Sequence, residues 1–243
     1  MINERNSRTA ALIGTDALVA LNSARVAIFG IGGVGSYVLE ALVRAGVGKF
    51  LLFDADTVSE SNINRQLIAD YSTLGEKKTD VAKRRIALIN PEAEVVCYDT
   101  FVTADYVEGF DFSGVDFIVD AIDTTSAKIA LAVKAERLGI PMIASMGTGN
   151  KLDPHAFEIT DIYKTSVCPL ARVMRTELRK RGVAHLTVLY SKEEPRRPNF
   201  VTEHAEKGDT PPRVPPASIS FVPSAAGLMI AAHVVKKLIG ETQ

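Results

Sequence analysis

Tryptophan is absent from this 243-residue sequence, and cysteine occurs only twice, as Cys97 and Cys168. Two cysteines cannot build a disulfide framework, and no CxxC pair is present to hold a structural zinc. A reducing compartment, the cytoplasm, is the expected home. An excess of one sign of charge is absent too: Lys and Arg total 28 against 29 Asp and Glu, a net charge of -1. That balance excludes a global basic field for nucleic acid, so any RNA contact must come from a local patch. The N-terminus lacks a basic segment followed by an apolar one, and no secretory signal is read there. Long hydrophobic runs are scarce. The most apolar, SISFVPSAAGLMIAAHVV at 218–235, contains Pro223, Gly227 and His233 and is short for a spanning helix. It reads as a core strand followed by a core helix, with no stable membrane insertion.

What remains is an ordinary globular composition, 47% apolar and 23% charged, with enough length for one large domain. RVAIFG at 25–30 is a short apolar run ending in glycine, the pattern of a buried strand. Val34, Val38, Leu42 and Ala45 then recur at helical spacing until Gly46 and Gly48 stop the helix. KFLLFDAD at 49–56 predicts a second strand, 77–89 a helix, EVVCYDTFV at 94–102 a third strand and FIVDAID at 117–123 a fourth. A helix closing at Gly139 and a strand at 141–145 follow. Strands alternating with helices imply parallel crossovers, hence an α/β fold with a doubly wound, Rossmann-like, mainly parallel sheet. C-terminal strands at 157–165, 186–191 and about 218–224 extend it, with helices at 169–181 and 225–239. The stretch 192–216 is rich in proline and charge without periodicity and reads as a mobile loop. The whole chain, 1–243, is taken as one domain, with a nucleotide-binding core at about 22–150 and a C-terminal substrate and interface part at about 151–243.

Two motifs carry chemistry. Gly30, Gly32, Gly33 and Gly35 follow the first strand and open a helix. Such a turn lets backbone approach phosphate, and helix N–H groups hold negative charge. Asp54, 19 residues past Gly35, ends the second strand, where a carboxylate can accept both ribose hydroxyls. This context points to a nucleotide site but does not by itself separate NAD from ATP. The second motif, DADTVSESNINRQ, places Asp56, Asn62, Arg65 and Gln66 just after that acid. Hydride transfer does not require those groups; a triphosphate and its pyrophosphate leaving group do.

GxGGxG, DxDxVxxSNxNRQ, GxxK at Gly75–Lys78 and DAID at Asp120–Asp123 run in order between about Arg8 and Gly149. Together they resemble the ubiquitin-activating-enzyme-like superfamily, the ThiF/MoeB/HesA group of adenylating enzymes. DPHAFEITDIYKTSVCPLARVMRTELRKRG at 153–182 resembles one branch, the tRNA threonylcarbamoyladenosine dehydratases. The resemblance implies ATP and magnesium as cofactors, tRNA as substrate, a homodimer, and sulfur-transfer or cysteine desulfurase proteins as candidate further partners. It implies that Asp54 binds the ribose and that Asn62, Arg65 and Lys78 contact the triphosphate. Asp123 would place magnesium or the attacking carboxylate near the α-phosphate, and Arg8 would reach the partner subunit's nucleotide. Arg65, Lys78 and Asp123 form the implied catalytic set; the four glycines, Asp56 and Gln66 complete the implied nucleotide contacts.

Physical chemistry accompanies each assignment. Lys78 begins a helix, where a cation gains nothing from the dipole and a bound anion would justify it. Arg65 and Lys78 are both read as solvent-side. Asp123 lies at a strand's carboxyl end, where open α/β sheets bind ligands, although an aspartate there can also cap the next helix. Asp120, inside the strand, is read as structural or as supporting the site from behind without touching the ligand. Arg172, Arg175, Arg179, Lys180 and Arg181 offer a tRNA-facing patch or an ordinary solvated face. Cys97 falls in a strand and reads as core, while Cys168, before Pro169, could be exposed but reads as an inert residue rather than a reactive thiol, since nothing in the sequence favours its thiolate. The dehydratase reading needs no enzyme thiol, because a carbamoyl group within the substrate attacks the activated carboxylate. The alternative is an adenylyltransferase activating the C-terminus of a ubiquitin-like sulfur carrier; an NAD-binding oxidoreductase is more remote.

Overall fold

RVAIF forms a strand buried on both sides: Val26 and Ile28 enter one core cluster, Ala27 and Phe29 the other. This two-faced burial explains why the strands read as continuous apolar runs rather than alternating ones. The computed structural model describes residues 3–200 and 216–241. Its elements are α1 (Ser7–Ile13), α2 (Thr15–Ser23), β1 (Arg25–Phe29), α3 (Gly35–Ala45), β2 (Lys49–Phe53), α4 (Lys78–Ile89), β3 (Glu94–Tyr98), α5 (Ala104–Gly109), β4 (Phe117–Asp120), α6 (Thr125–Leu138), β5 (Met142–Ser145), β6 (Phe157–Asp161), α7 (Pro169–Lys180), β7 (Thr187–Ser191) and α8 (Phe221–Leu238).

The seven strands make one sheet in the order β3-β2-β1-β4-β5-β7-β6. All neighbours are parallel except β6 against β7, so the expected doubly wound sheet is present. From β1 the chain builds outward in one direction through β2 and β3, then returns to β4 and builds the other way. That reversal opens a crevice at the carboxyl ends of β1 and β4. One face of the sheet packs on residues of α3, α4 and α8, the other on residues of α5, α6 and α7.

The expected strand over SISFVPS does not form. Residues 216–219 carry no regular structure and α8 begins at Phe221. Pro223 lies in the first helical turn, where a missing N–H costs nothing, so the proline that punctuates the sequence starts the helix rather than ending a strand. Val222, Ala226, Ile230 and Val234 bury one face of α8 in the core. A Cβ at Gly227 would stand 2.6 Å from the Val34 carbonyl oxygen and 2.8 Å from Tyr37 Cβ, so only glycine permits this approach to the start of α3. The predicted loop at 192–216 is irregular over 192–200; its span 201–215 lies outside the described residues.

Candidate active site

The crevice is a cavity of about 520 Å³ whose lining includes Gly30, Gly32, Gly33, Asp54, Asp56, Asn62, Arg65, Gln66, Lys78 and Asp123. The two motifs and the DAID tetrad therefore meet in one place. Three of the four glycines have distinct surroundings. Gly30 has φ +88°, and a Cβ there would stand 2.7 Å from the Ala121 carbonyl oxygen. A Cβ on Gly35 would lie 1.8 Å from the Gly30 carbonyl oxygen. Gly35 is thus required by close packing and is not among the residues lining the cavity. At Gly32 the nearest atom to an added Cβ is Gln66 Nε2 at 3.9 Å, so this is the backbone left open to a ligand.

Asp54 is held by the loop it faces. Ile31 N–H donates to its Oδ2 at 2.7 Å and Asp56 N–H to its Oδ1 at 2.9 Å. Burial pushes its carboxyl above the ordinary range, outweighing Lys78 and the two backbone donors that oppose it.

Lys78 departs from the solvent-side expectation: it is 4% exposed. Its Nζ lies 2.5 Å from Asp56 Oδ2 and 3.9 Å from Asp54 Oδ1. Two carboxylates already offset the unfavourable dipole at the start of α4, so a bound anion is not needed to account for the lysine. Asp56, with a side chain 68% exposed, is the one of the two that can turn away.

Asn62 is buried in a capping box with Ser59. Ser59 N–H donates to its Oδ1, which leaves Nδ2 as the donor for the cavity. Arg65 is half-buried. Its Nη1 donates to the Ser61 carbonyl at 2.8 Å and to Asn64 Oδ1 at 2.9 Å. Burial pushes its guanidinium down, and no carboxylate among the described residues counters that. Asn64 also donates from Nδ2 to the Ser218 carbonyl at 3.1 Å, tying this motif to the segment before α8. Gln66 is buried with an Oε1 that has no partner among the described residues.

Asp123 is exposed on the cavity wall just beyond β4. It does not cap α6; Thr124 occupies that position, without a side-chain cap bond. Asp120 behind it is buried and paired with Lys128 at 2.9 Å; burial pushes its carboxyl up, against the pull of that lysine. No sequence motif points to Lys128. Its signal in the sequence is a lysine on the apolar face that carries Leu131, Ala132 and Ala135. Phe101 and Val102, which follow β3 and line the cavity, lie outside the motifs as well.

Arg8 is exposed on α1 and does not line its own chain's cavity. Of the five basic residues of α7 and its end, four have partners within the chain. Arg175 donates to Thr165, Arg179 lies 5.2 Å over the Tyr163 ring, and Lys180 and Arg181 pair with Glu177. Cys168 is buried, as suits an inert residue, because its side chain faces the core at the N-cap of α7. Cys97 is half-buried, its thiol pushed up by burial and donating to the Thr79 carbonyl.

Over residues 4–243 the chain matches the ThiF family. It is 44% identical over 245 residues to a tRNA threonylcarbamoyladenosine dehydratase of Bacillus subtilis (strain 168), a match that covers 98% of this chain and 95% of that protein. To the tRNA threonylcarbamoyladenosine dehydratase of Escherichia coli (strain K12) it is 33% identical over 253 residues, 98% of this chain and 94% of that one. The solved structure of the E. coli tRNA N6-threonylcarbamoyladenosine dehydratase in complex with ATP superimposes with a TM-score of 0.87 at 32% identity, covering 99% of this chain and 98% of that chain. Its complex with AMP gives the same TM-score of 0.87. This chain belongs to the ThiF family, in its branch of tRNA threonylcarbamoyladenosine dehydratases.

Proposed function

We propose that the cavity binds ATP and that the chain uses it to adenylate the carboxylate of N6-threonylcarbamoyladenosine in tRNA, promoting cyclisation of that side chain. One observation carries this reading beyond a generic nucleotide fold. Arg65 is a half-buried guanidinium on the cavity wall with no carboxylate partner among the described residues. A cation desolvated in this way is stabilised by an anion, and its planar fork suits phosphate. Asp54 accepts the ribose hydroxyls, Gly32 offers backbone to the phosphates, and Asn62 Nδ2, Arg65 and Lys78 contact the triphosphate. The substrate carboxylate oxygen attacks the α-phosphorus and pyrophosphate leaves. The carbamoyl group of the same side chain then attacks the activated carbonyl and AMP leaves, with net loss of one water. Ring closure within one molecule needs no enzyme nucleophile, which suits a chain whose two cysteines are buried or half-buried.

Asp123 fits magnesium, which is commonly held by one or two carboxylates plus substrate phosphates. Its carboxylate faces the cavity free of capping duty, and no cluster of three metal-ligating side chains occurs among the described residues. Bound there, magnesium would neutralise phosphate charge. The chain acts as one adenylation domain in the cytoplasm, where its tRNA substrate is found. It works as a homodimer, in which Arg8 completes the partner's site. Exposed Phe221 and Leu228 on α8 and the solvent position of Arg8 are in keeping with that arrangement.

The test is exchange of labelled pyrophosphate into ATP. Exchange is expected with tRNA bearing threonylcarbamoyladenosine, together with a cyclised product and AMP. Exchange supported only by a carrier protein ending in glycine would transfer the chain to the sulfur-carrier alternative. Thermal stabilisation by NADH and not by ATP would end the adenylation reading altogether.

A further inference from the structure

Asp120 and Lys128 have side chains 0% exposed, and their charged atoms stand 2.9 Å apart. Sealing two charges in a core costs more desolvation than their attraction readily returns, and an apolar pair of similar volume often serves stability as well or better. Lys128 is also in the first turn of α6, the wrong end of the helix dipole for a cation. Stability alone therefore gives no reason for this pair.

Its two members converge on one residue. Ile122 N–H donates to Asp120 Oδ1 at 3.2 Å, and Lys128 Nζ donates to the Ile122 carbonyl at 3.2 Å. That carbonyl belongs to the peptide unit leading into Asp123. On the upstream side, Ala121 N–H donates to the Phe29 carbonyl at 2.8 Å, so the turn is also tied to β1. Asp123 lacks a cap bond of its own, so its direction depends on the backbone that carries it.

We propose that the buried Asp120–Lys128 pair is a positioning device: it clamps Ile122 at both N–H and C=O and thereby aims the Asp123 carboxylate into the nucleotide cavity. The inference rests on the role given to Asp123 under the proposed function. The pair touches no substrate; it acts through Asp123.

The test is a double-mutant cycle on the full chain, read by melting temperature, ATP KM and kcat of pyrophosphate exchange with the modified tRNA. Asp120→Leu with Lys128→Met removes both charges and both arms of the clamp. It is expected to melt near or above wild type, keep the ATP KM within about threefold and lose kcat by about tenfold or more. In an Asp123→Asn background the same two substitutions should change kcat little, because the group they aim is already gone. A folded variant with wild-type kcat, or a loss that multiplies with that of Asp123→Asn, overturns the proposal. If the apolar pair does not fold, Lys128→Arg, which keeps the charge and moves the donor, takes its place in the same cycle. A reduced kcat that disappears in the Asp123→Asn background then supports the clamp, and an unchanged or multiplying one overturns it. Failure of the underlying reading looks different: wild-type protein would show no exchange, or Asp123→Asn would exchange at the wild-type rate.

Discussion

The strands flanking β1 end in the same arrangement with opposite settings. After β2, Asp54 and Asp56 meet Lys78 from the first turn of α4; at the last residue of β4, Asp120 meets Lys128 from the first turn of α6. The first group is open, since Asp56 is 68% exposed at the cavity edge. The second is sealed, with both side chains at 0% exposure. An exposed carboxylate holding a lysine can surrender it to a phosphate at small cost, because water solvates what is released. A sealed pair cannot exchange partners without stranding a charge, so it serves to hold backbone. One acid–lysine pattern thus gives a replaceable counter-ion on one side of the crevice and a fixed brace on the other.

Breaking the brace from one side has the largest expected effect. Lys128→Met strands Asp120 in the core and should cost about 3–5 kcal/mol of stability, read from urea unfolding. A loss below about 1 kcal/mol would show the pair to be less sealed than its geometry. Arg65→Ala acts between the two groups on a residue without a carboxylate partner. It should raise the barrier to exchange by about 2–4 kcal/mol, by analogy with loss of one electrostatic donor. Its unfolding midpoint should barely move, so a large shift would make Arg65 a structural residue instead.

Lys78→Ala tests the open pair. Because Lys78 is buried, its loss should cost about 1–3 kcal/mol of stability in addition to turnover, whereas a solvent-side lysine would leave folding untouched. Asp56→Asn should cost less than either lysine change, and equal losses would erase the distinction between a replaceable and a fixed partner.

The smallest effect is a pH dependence at Asp54. Its folded carboxyl binds a proton more tightly than in the unfolded chain. Its contribution to stability without ligand is therefore complete below the ordinary aspartate range and is lost as pH rises through the elevated value. Adenosine, which has no phosphate to titrate, should bind better over that same interval as the carboxylate becomes available to the ribose. Calorimetry at a series of pH values from the ordinary aspartate range up to neutrality should show this slope, and Asp54→Asn should flatten it.

Most of the cavity is legible in the sequence because its residues sit at strand ends in a regular α/β alternation. Once β1, β2 and β4 are placed side by side, the glycine loop, Asp54 and Asp123 share an edge. Lys78 is legible as a site residue but not as a buried one paired with Asp54 and Asp56, because its helix position does not show what its side chain meets across the crevice. Lys128 is hidden because one lysine in an apolar helix face does not show what it meets across the packing. The strand expected before α8 has a local cause: β-branched residues followed by proline look like a strand end, and only the contact at Gly227 with α3 reveals a helix start.

The sequence by itself determined the strand–helix alternation, the switch point and most of the polar residues that line the crevice, because burial on both sheet faces and glycine's freedom to turn act over a few residues. Only the tertiary structure decided which charges are open and which are sealed, which glycine opens to the cavity and which packs, and that Cys168 points inward. Those outcomes depend on desolvation, and desolvation is set by elements distant in the chain that close over a side chain.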